Sequence, residues 1–89
     1  MYKIEFTKSA VKEINKIPKK DQQRIYDAIL TLSVNPYSEL ISYKKIKGRD
    51  DLCRIRVGDY RIIYSIWTNK LIIMIVKIGH RKDVYQYLH

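Results

Sequence analysis

Residues 43–64 read YKKIKGRDDLCRIRVGDYRIIY, and the fold turns on this stretch. From Cys53 to Val57, Cys53, Ile55 and Val57 alternate with Arg54 and Arg56, the two-residue period of a β-strand. Gly58-Asp59 has the chemistry of a two-residue hairpin turn. Such a turn pairs Val57 with Tyr60, and therefore Arg56 with Arg61. The hairpin then sorts its side chains. Arg54, Arg56, Arg61 and Ile63 share one face, whereas Cys53, Ile55, Tyr60, Ile62 and Tyr64 share the other and demand cover. Like charges directly opposite each other destabilise a sheet, so Arg56 and Arg61 call for an anion, either an acidic side chain or a ligand. The plain alternative is a solvated face whose arginines pair with Asp50, Asp51 or Asp59.

Working outward, Tyr2, Ile4 and Phe6 alternate with Lys3 and Glu5 as a short first strand. Thr7 or Ser9 can cap a helix from about Ala10 with Val11, Ile14 and Ile17 on one stripe, ended by Pro18. A second helix runs from about Lys20 to Val34, with Ile25, Ala28, Ile29 and Leu32 at i, i+3, i+4 and i+7. Asn35-Pro36 stops it. A polar loop from Tyr37 to about Asp51 precedes strands at Leu52–Val57, Tyr60–Trp67 and Leu71–Ile78. The order β-α-α-β-β-β predicts an α+β domain over residues 1–89, two helices packed on one face of a mostly antiparallel curved sheet.

The last strand needs a register. Ile72, Met74, Val76 and Ile78 are apolar and Lys77 lies between them, so the even residues are expected in the core. Lys77 then joins the arginines, followed by Gly79 and Arg81. Arg54, Arg56, Arg61, Lys77 and Arg81 are expected on one surface, with Tyr85 and Tyr87 close by. Lys44, Lys45, Lys47 and Arg49 in the loop before it are expected to be solvated or to give at most auxiliary phosphate contacts. A histidine side chain is suited in general to proton transfer near neutrality, but strand parity points His80 away from Arg81. Cys53 belongs to the core.

The chain has 89 residues and a net charge of +9, which favours a polyanionic partner. Lys3, Glu5 and Lys8 interrupt the start, where a signal peptide would need an apolar run. Leu71–Val76, the longest apolar run, is far short of the roughly 20 residues that span a membrane. A single cysteine excludes an internal disulfide and suits a reducing cytoplasm. The scattered Cys53, His80 and His89 have no metal-ligand spacing, so neither metal nor cofactor is expected.

The segments KKIKG-x5-RIRVGDYRIIY (44–64) and IGHRKDVY (78–85) resemble the RelE/ParE superfamily of bacterial toxins, the toxin halves of type II toxin–antitoxin pairs. The DYR-x-x-Y hairpin marks the superfamily, and the HRKDVY ending resembles its RelE-like, ribonuclease branch. That resemblance implies cleavage of messenger RNA in the ribosomal A site. The 2′-hydroxyl is the nucleophile, and the products are a 2′,3′-cyclic phosphate and a 5′-hydroxyl. By motif, Arg61 would contact the scissile phosphate, Arg81 would stabilise charge developing on it, and Tyr85 would stack on a base or transfer a proton. Arg54 and Arg56 stand where some members carry lysines that bind RNA. Arginine does not release its proton, which leaves Tyr85, Tyr87, His80, Lys82 or Lys77 as acid/base groups, or no strong base. Lys77, Lys82, Lys45 and Lys47 complete the expected RNA contacts. The implied partners are mRNA, the ribosome and a RelB-like antitoxin offering an amphipathic helix and acidic residues. The alternative is a ParE-like protein that traps DNA gyrase without catalysis.

Overall fold

A computed structural model describes residues 1–38, 41, 43–82 and 84. Among them lie β1 (Lys3–Phe6), α1 (Lys8–Asn15), α2 (Lys19–Val34), β2 (Lys44–Ile46), β3 (Arg49–Val57), β4 (Tyr60–Trp67) and β5 (Ile72–His80). The strands form one sheet in the order β1-β5-β4-β3-β2. β1 runs parallel to β5 and every other pair is antiparallel. Ala10, Ile14 and Ile17 of the first helical segment and Ile25, Ile29 and Leu32 of α2 pack with Cys53, Ile55, Ile62, Tyr64, Ile73, Ile75 and Ile78 of the sheet. No described helix is long and apolar enough to cross a membrane.

Thr7 starts α1, its Oγ1 accepting from the Ala10 N–H at 3.1 Å. With the helix phased from that cap, Ala10 enters the core and Val11 turns outward, 45% exposed. The expected Val11 stripe is corrected accordingly: Ala10, Ile14 and Ile17 follow the i, i+4, i+7 spacing. Gln22 Nε2 donates to the carbonyls of Ile14 and Ile17, both at 2.9 Å. One side chain thus satisfies the open end of α1 and clamps it to α2.

The hairpin register is the expected one, with Val57 opposite Tyr60, Arg56 opposite Arg61 and Arg54 opposite Ile63. β5 differs. It pairs regularly from Tyr60↔His80 to Ile63↔Lys77, and then Tyr64 faces Ile75, leaving Val76 as the extra residue of a bulge. The bulge reverses the side-chain phase. Ile78 is buried under the helices as expected, but below the bulge the core residues are Ile73 and Ile75, both 0% exposed. Ile72 and Met74 lie on the opposite phase from them, correcting the even-numbered core. Strict alternation could not show this, because both phases of Ile72–Val76 are apolar.

Residues 44–46 and 49–51, expected within a polar loop, are strand. β2 pairs with β3 through Lys44↔Arg54 and Lys45↔Cys53, then turns at Lys47-Gly48 so that Ile46 meets Arg49. The described strands therefore number five rather than four. Ile46 joins Leu52, Ile63 and Val84 in a second cluster, with Val76 packed against it. This small core shares the arginine side of the sheet with Ile63. The face opposite the helices is therefore part basic and part apolar.

Candidate functional site

The site grows from the β3–β4 hairpin. Gly58 has φ +60°, a conformation glycine alone adopts without strain, at the first position of a two-residue turn. A Cβ there would also lie 2.9 Å from Nη1 of Arg24, which α2 brings against the turn. Arg24 is held in turn by Asp21 at 3.8 Å. The turn fixes Arg61 opposite Arg56, while Arg54 stands two residues back along the same face. Arg61 Nη1 donates to the Tyr60 carbonyl at 3.1 Å and reaches that of Gly58 at 3.5 Å. These bonds aim the guanidinium along the turn.

Among the described residues, Asp50, Asp51 and Asp59 form no ion pair with Arg54 or Arg56. Asp51 is taken by Arg49, whose Nε and Nη2 each lie 3.2 Å from its carboxylate oxygens. That hydrogen-bonded guanidinium holds the Asp51 carboxyl below its ordinary range. Among the described residues no ion pair joins Arg54, Arg56 or Arg81 to a carboxylate. Arginine forks grouped in this way match the oxygens of a phosphodiester.

Gly79 lies opposite Arg61 on β5. Two residues further on, Arg81 is exposed, and its backbone N–H donates to the Asp59 carbonyl at 2.9 Å. The exit of β5 is thereby pinned to the tip of the hairpin that carries Arg61. Lys82 is exposed beside Arg81. Val84 is buried against Ile63 and Leu52, on the arginine side of the sheet. Tyr85 and Tyr87 lie outside the described residues.

Other expected members are placed elsewhere. His80 sits opposite Tyr60, ring edge to ring face with centroids 6.1 Å apart, on the helix side of the sheet. Its Nδ1 accepts from the Lys82 N–H at 3.4 Å. Lys77, opposite Ile63, takes the arginine side as expected, yet its ammonium is ion-paired with Glu13 of α1. Lys45 is paired with Cys53 and so takes the other phase, while Lys44 is paired with Arg54 and joins the arginine row. Lys47 occupies the exposed β2–β3 turn. Burial raises the pKa of the Cys53 thiol, in keeping with a packing role. Sequence reasoning missed Arg24, Glu13 and the pairing of Lys44. Their signals are long-range contacts that no local period carries.

A two-helix layer over one face of a five-stranded sheet, with arginines gathered on the other, is a fold shared with chains of solved RelE–RelB toxin–antitoxin complexes. The family described as ParE toxin of type II toxin–antitoxin system, parDE, matches residues 4–85, and the chain belongs to that family, within the RelE/ParE superfamily. Toxin RelE3 of Methanocaldococcus jannaschii is 37% identical over 87 residues, covering 96% of this chain and 97% of the relative. The archaeal RelE–RelB complex from Pyrococcus horikoshii OT3 contains a chain similar at TM-score 0.78 and 32% identity, over 90% of this chain and 94% of that one. The RelB–RelE antitoxin–toxin complex from Methanococcus jannaschii gives TM-score 0.77 and 32% identity, over 93% and 96%.

Proposed function

We propose that this toxin is an endoribonuclease that cuts messenger RNA in the ribosomal A site. The observation that carries the reading is the convergence of Arg54, Arg56 and Arg61 on one sheet face beside the Arg81 backbone pinned at Asp59. In the reaction the substrate's 2′-oxygen bonds to phosphorus as the bond to the 5′-oxygen breaks. The 2′-hydroxyl proton is lost and the 5′-oxygen gains one, which leaves a 2′,3′-cyclic phosphate and a 5′-hydroxyl. Arg61 binds the phosphate, and Arg81 stabilises the charge that builds on it. Arg54 and Arg56 hold the flanking backbone. Neither can take the proton. His80 is turned to the helix side and Lys77 is engaged by Glu13, so proton transfer falls to Tyr85, Tyr87 or Lys82, or is left to solvent. Alignment and charge stabilisation alone supply large rate factors.

The partner that holds the toxin inactive is a RelB-like antitoxin. The solved complexes of similar chains with RelB support it, as does the +9 charge, which an acidic chain would neutralise. A second reading is favoured by the match to the ParE family itself: a gyrase binder that traps cleaved DNA without catalysis.

The deciding experiment incubates the purified chain with translating ribosomes and maps the mRNA ends. New 5′-hydroxyl ends are expected. They should fall about 10²–10³-fold in Arg61→Ala and Arg81→Ala, with Tyr85→Phe also impaired. Unchanged cleavage in all three removes the site assignment. Trapped DNA–gyrase complexes with intact mRNA would establish the second reading instead.

A further inference from the structure

The outer edge of β5 changes partner at the bulge. β1 accompanies it only as far as Phe6↔Ile75. Beyond that point α1 and its cap take over. The Thr7 N–H donates to the Ile75 carbonyl at 3.0 Å, and Thr7 Oγ1 donates to the Val76 carbonyl at 2.9 Å. Glu13 then reaches in from α1. One carboxylate oxygen accepts the Ile78 N–H at 3.2 Å, and the other is ion-paired with Lys77 Nζ. The two side chains are only 24% and 21% exposed, too enclosed for a casual surface contact.

These contacts bracket Val76, the extra residue, and the bulge decides which face each later residue of β5 serves. With it, Lys77 lies opposite Ile63 and Gly79 opposite Arg61. A one-residue slip would exchange the faces, turn Lys77 toward the helix core and displace Arg81 from its bond to Asp59. We propose that Glu13 is a positioning residue for the arginine site: acting through the bulged end of β5, it sets where Arg81 stands relative to Arg61. The proposal rests on the nuclease reading for its activity readout and on backbone geometry for an independent one. Its logic is that of a carboxylate satisfying an otherwise open strand edge while neutralising the one cation that would compete for the core.

The test uses the full chain with Glu13→Ala, Glu13→Gln and Lys77→Met. Glutamine keeps an acceptor for the Ile78 N–H, whereas alanine keeps none. Glu13→Ala should lower kcat for mRNA cleavage between about 10- and 100-fold with KM nearly unchanged, because misplacement rather than binding is at fault. Glu13→Gln should recover most of the loss, and Lys77→Met should leave Glu13 bonded to Ile78, with amide exchange at Ile78 close to that of the parent chain. In parallel, amide exchange at Ile78 and the NMR shifts of Gly79–Arg81 should change in Glu13→Ala and return in Glu13→Gln. Unchanged shifts there overturn the proposal. So does a loss of equal size in the alanine and glutamine variants. If the parent chain fails to cut mRNA while the shifts behave as expected, the nuclease reading falls and the positioning role of Glu13 stands.

Discussion

The two faces of the sheet are built from the same strands under opposite rules. Toward the helices, Ile62, Tyr64, Ile73, Ile75 and Ile78 are all 0% exposed and the packing is continuous. On the other side Arg54, Arg56 and Arg61 run along the hairpin, and among the described residues Ile46, Leu52, Ile63 and Val84, with Val76 against them, close a small core. The difference separates two tasks. One face stabilises the fold through apolar burial. The other carries charge that opposes folding slightly and suits a polyanion. Adjacent residues on β4 belong to different tasks, and that sharp alternation makes the division testable.

The largest expected contrast is between neighbours. Ile62→Ala removes a fully buried side chain and should destabilise the chain by about 2–5 kcal/mol, read as a fall in the midpoint of urea unfolding. Arg61→Ala, one residue earlier and half-buried on the other face, should leave that midpoint nearly unchanged while cleavage collapses. If both variants unfold equally early, the two-face division is wrong and Arg61 is a structural residue.

The hairpin was legible because its information is local. Cys53–Val57 alternates cleanly, Gly58-Asp59 fixes the turn, and the pairing of Arg56 with Arg61 follows from those alone. The helices were legible for the same reason, apart from a phase error at Val11. β5 was legible only above its bulge. Below it every residue from Ile72 to Val76 is apolar, so no polar residue marks the face, and the reversal is written in contacts from Thr7 and Glu13 far away in sequence. β2 was hidden because Lys44-Lys45-Ile46 carries too short a period to stand apart from a loop. At the site, Arg54, Arg56 and Arg61 came from parity. The capture of Lys77 by Glu13 could not, since it depends on how α1 docks.

A smaller effect probes the covered face alone. The hydroxyl of Tyr64 is buried and finds no hydrogen-bond partner among the described residues, and burial drives its pKa well above the ordinary tyrosine range. Tyr64→Phe should therefore stabilise the fold by about 1–3 kcal/mol and leave cleavage unchanged, although Tyr64 closes the superfamily motif. The pH dependence has a definite sign. Cys53 and Tyr64 both hold their protons more tightly when folded, so the unfolded chain releases them first as pH rises. Their contribution is complete below pH ~8, falls from about pH 8.5 as unfolded Cys53 ionises, and falls again near pH ~10 with Tyr64. Tyr64→Phe should abolish the second decline only. A Phe variant that is less stable at pH 7 would show that the hydroxyl has a partner after all.

The smallest effect concerns the charged face. Arg56 lies directly opposite Arg61. Two cations at that spacing repel, so Arg56→Gln, which keeps most of the side chain's length, should raise stability by about 0.2–1 kcal/mol. The gain should shrink as salt is added, because mobile ions screen the same repulsion in the parent chain. RNA affinity should move the other way, with a shallower dependence on salt for the variant. The two measurements together are more informative than either alone. A gain in stability with a loss in RNA binding means the arginine pair is kept against the interest of the fold. A variant that loses stability at every salt concentration would mean Arg56 packs as part of the sheet, and the arginine row would then hold the fold together as well as the ligand.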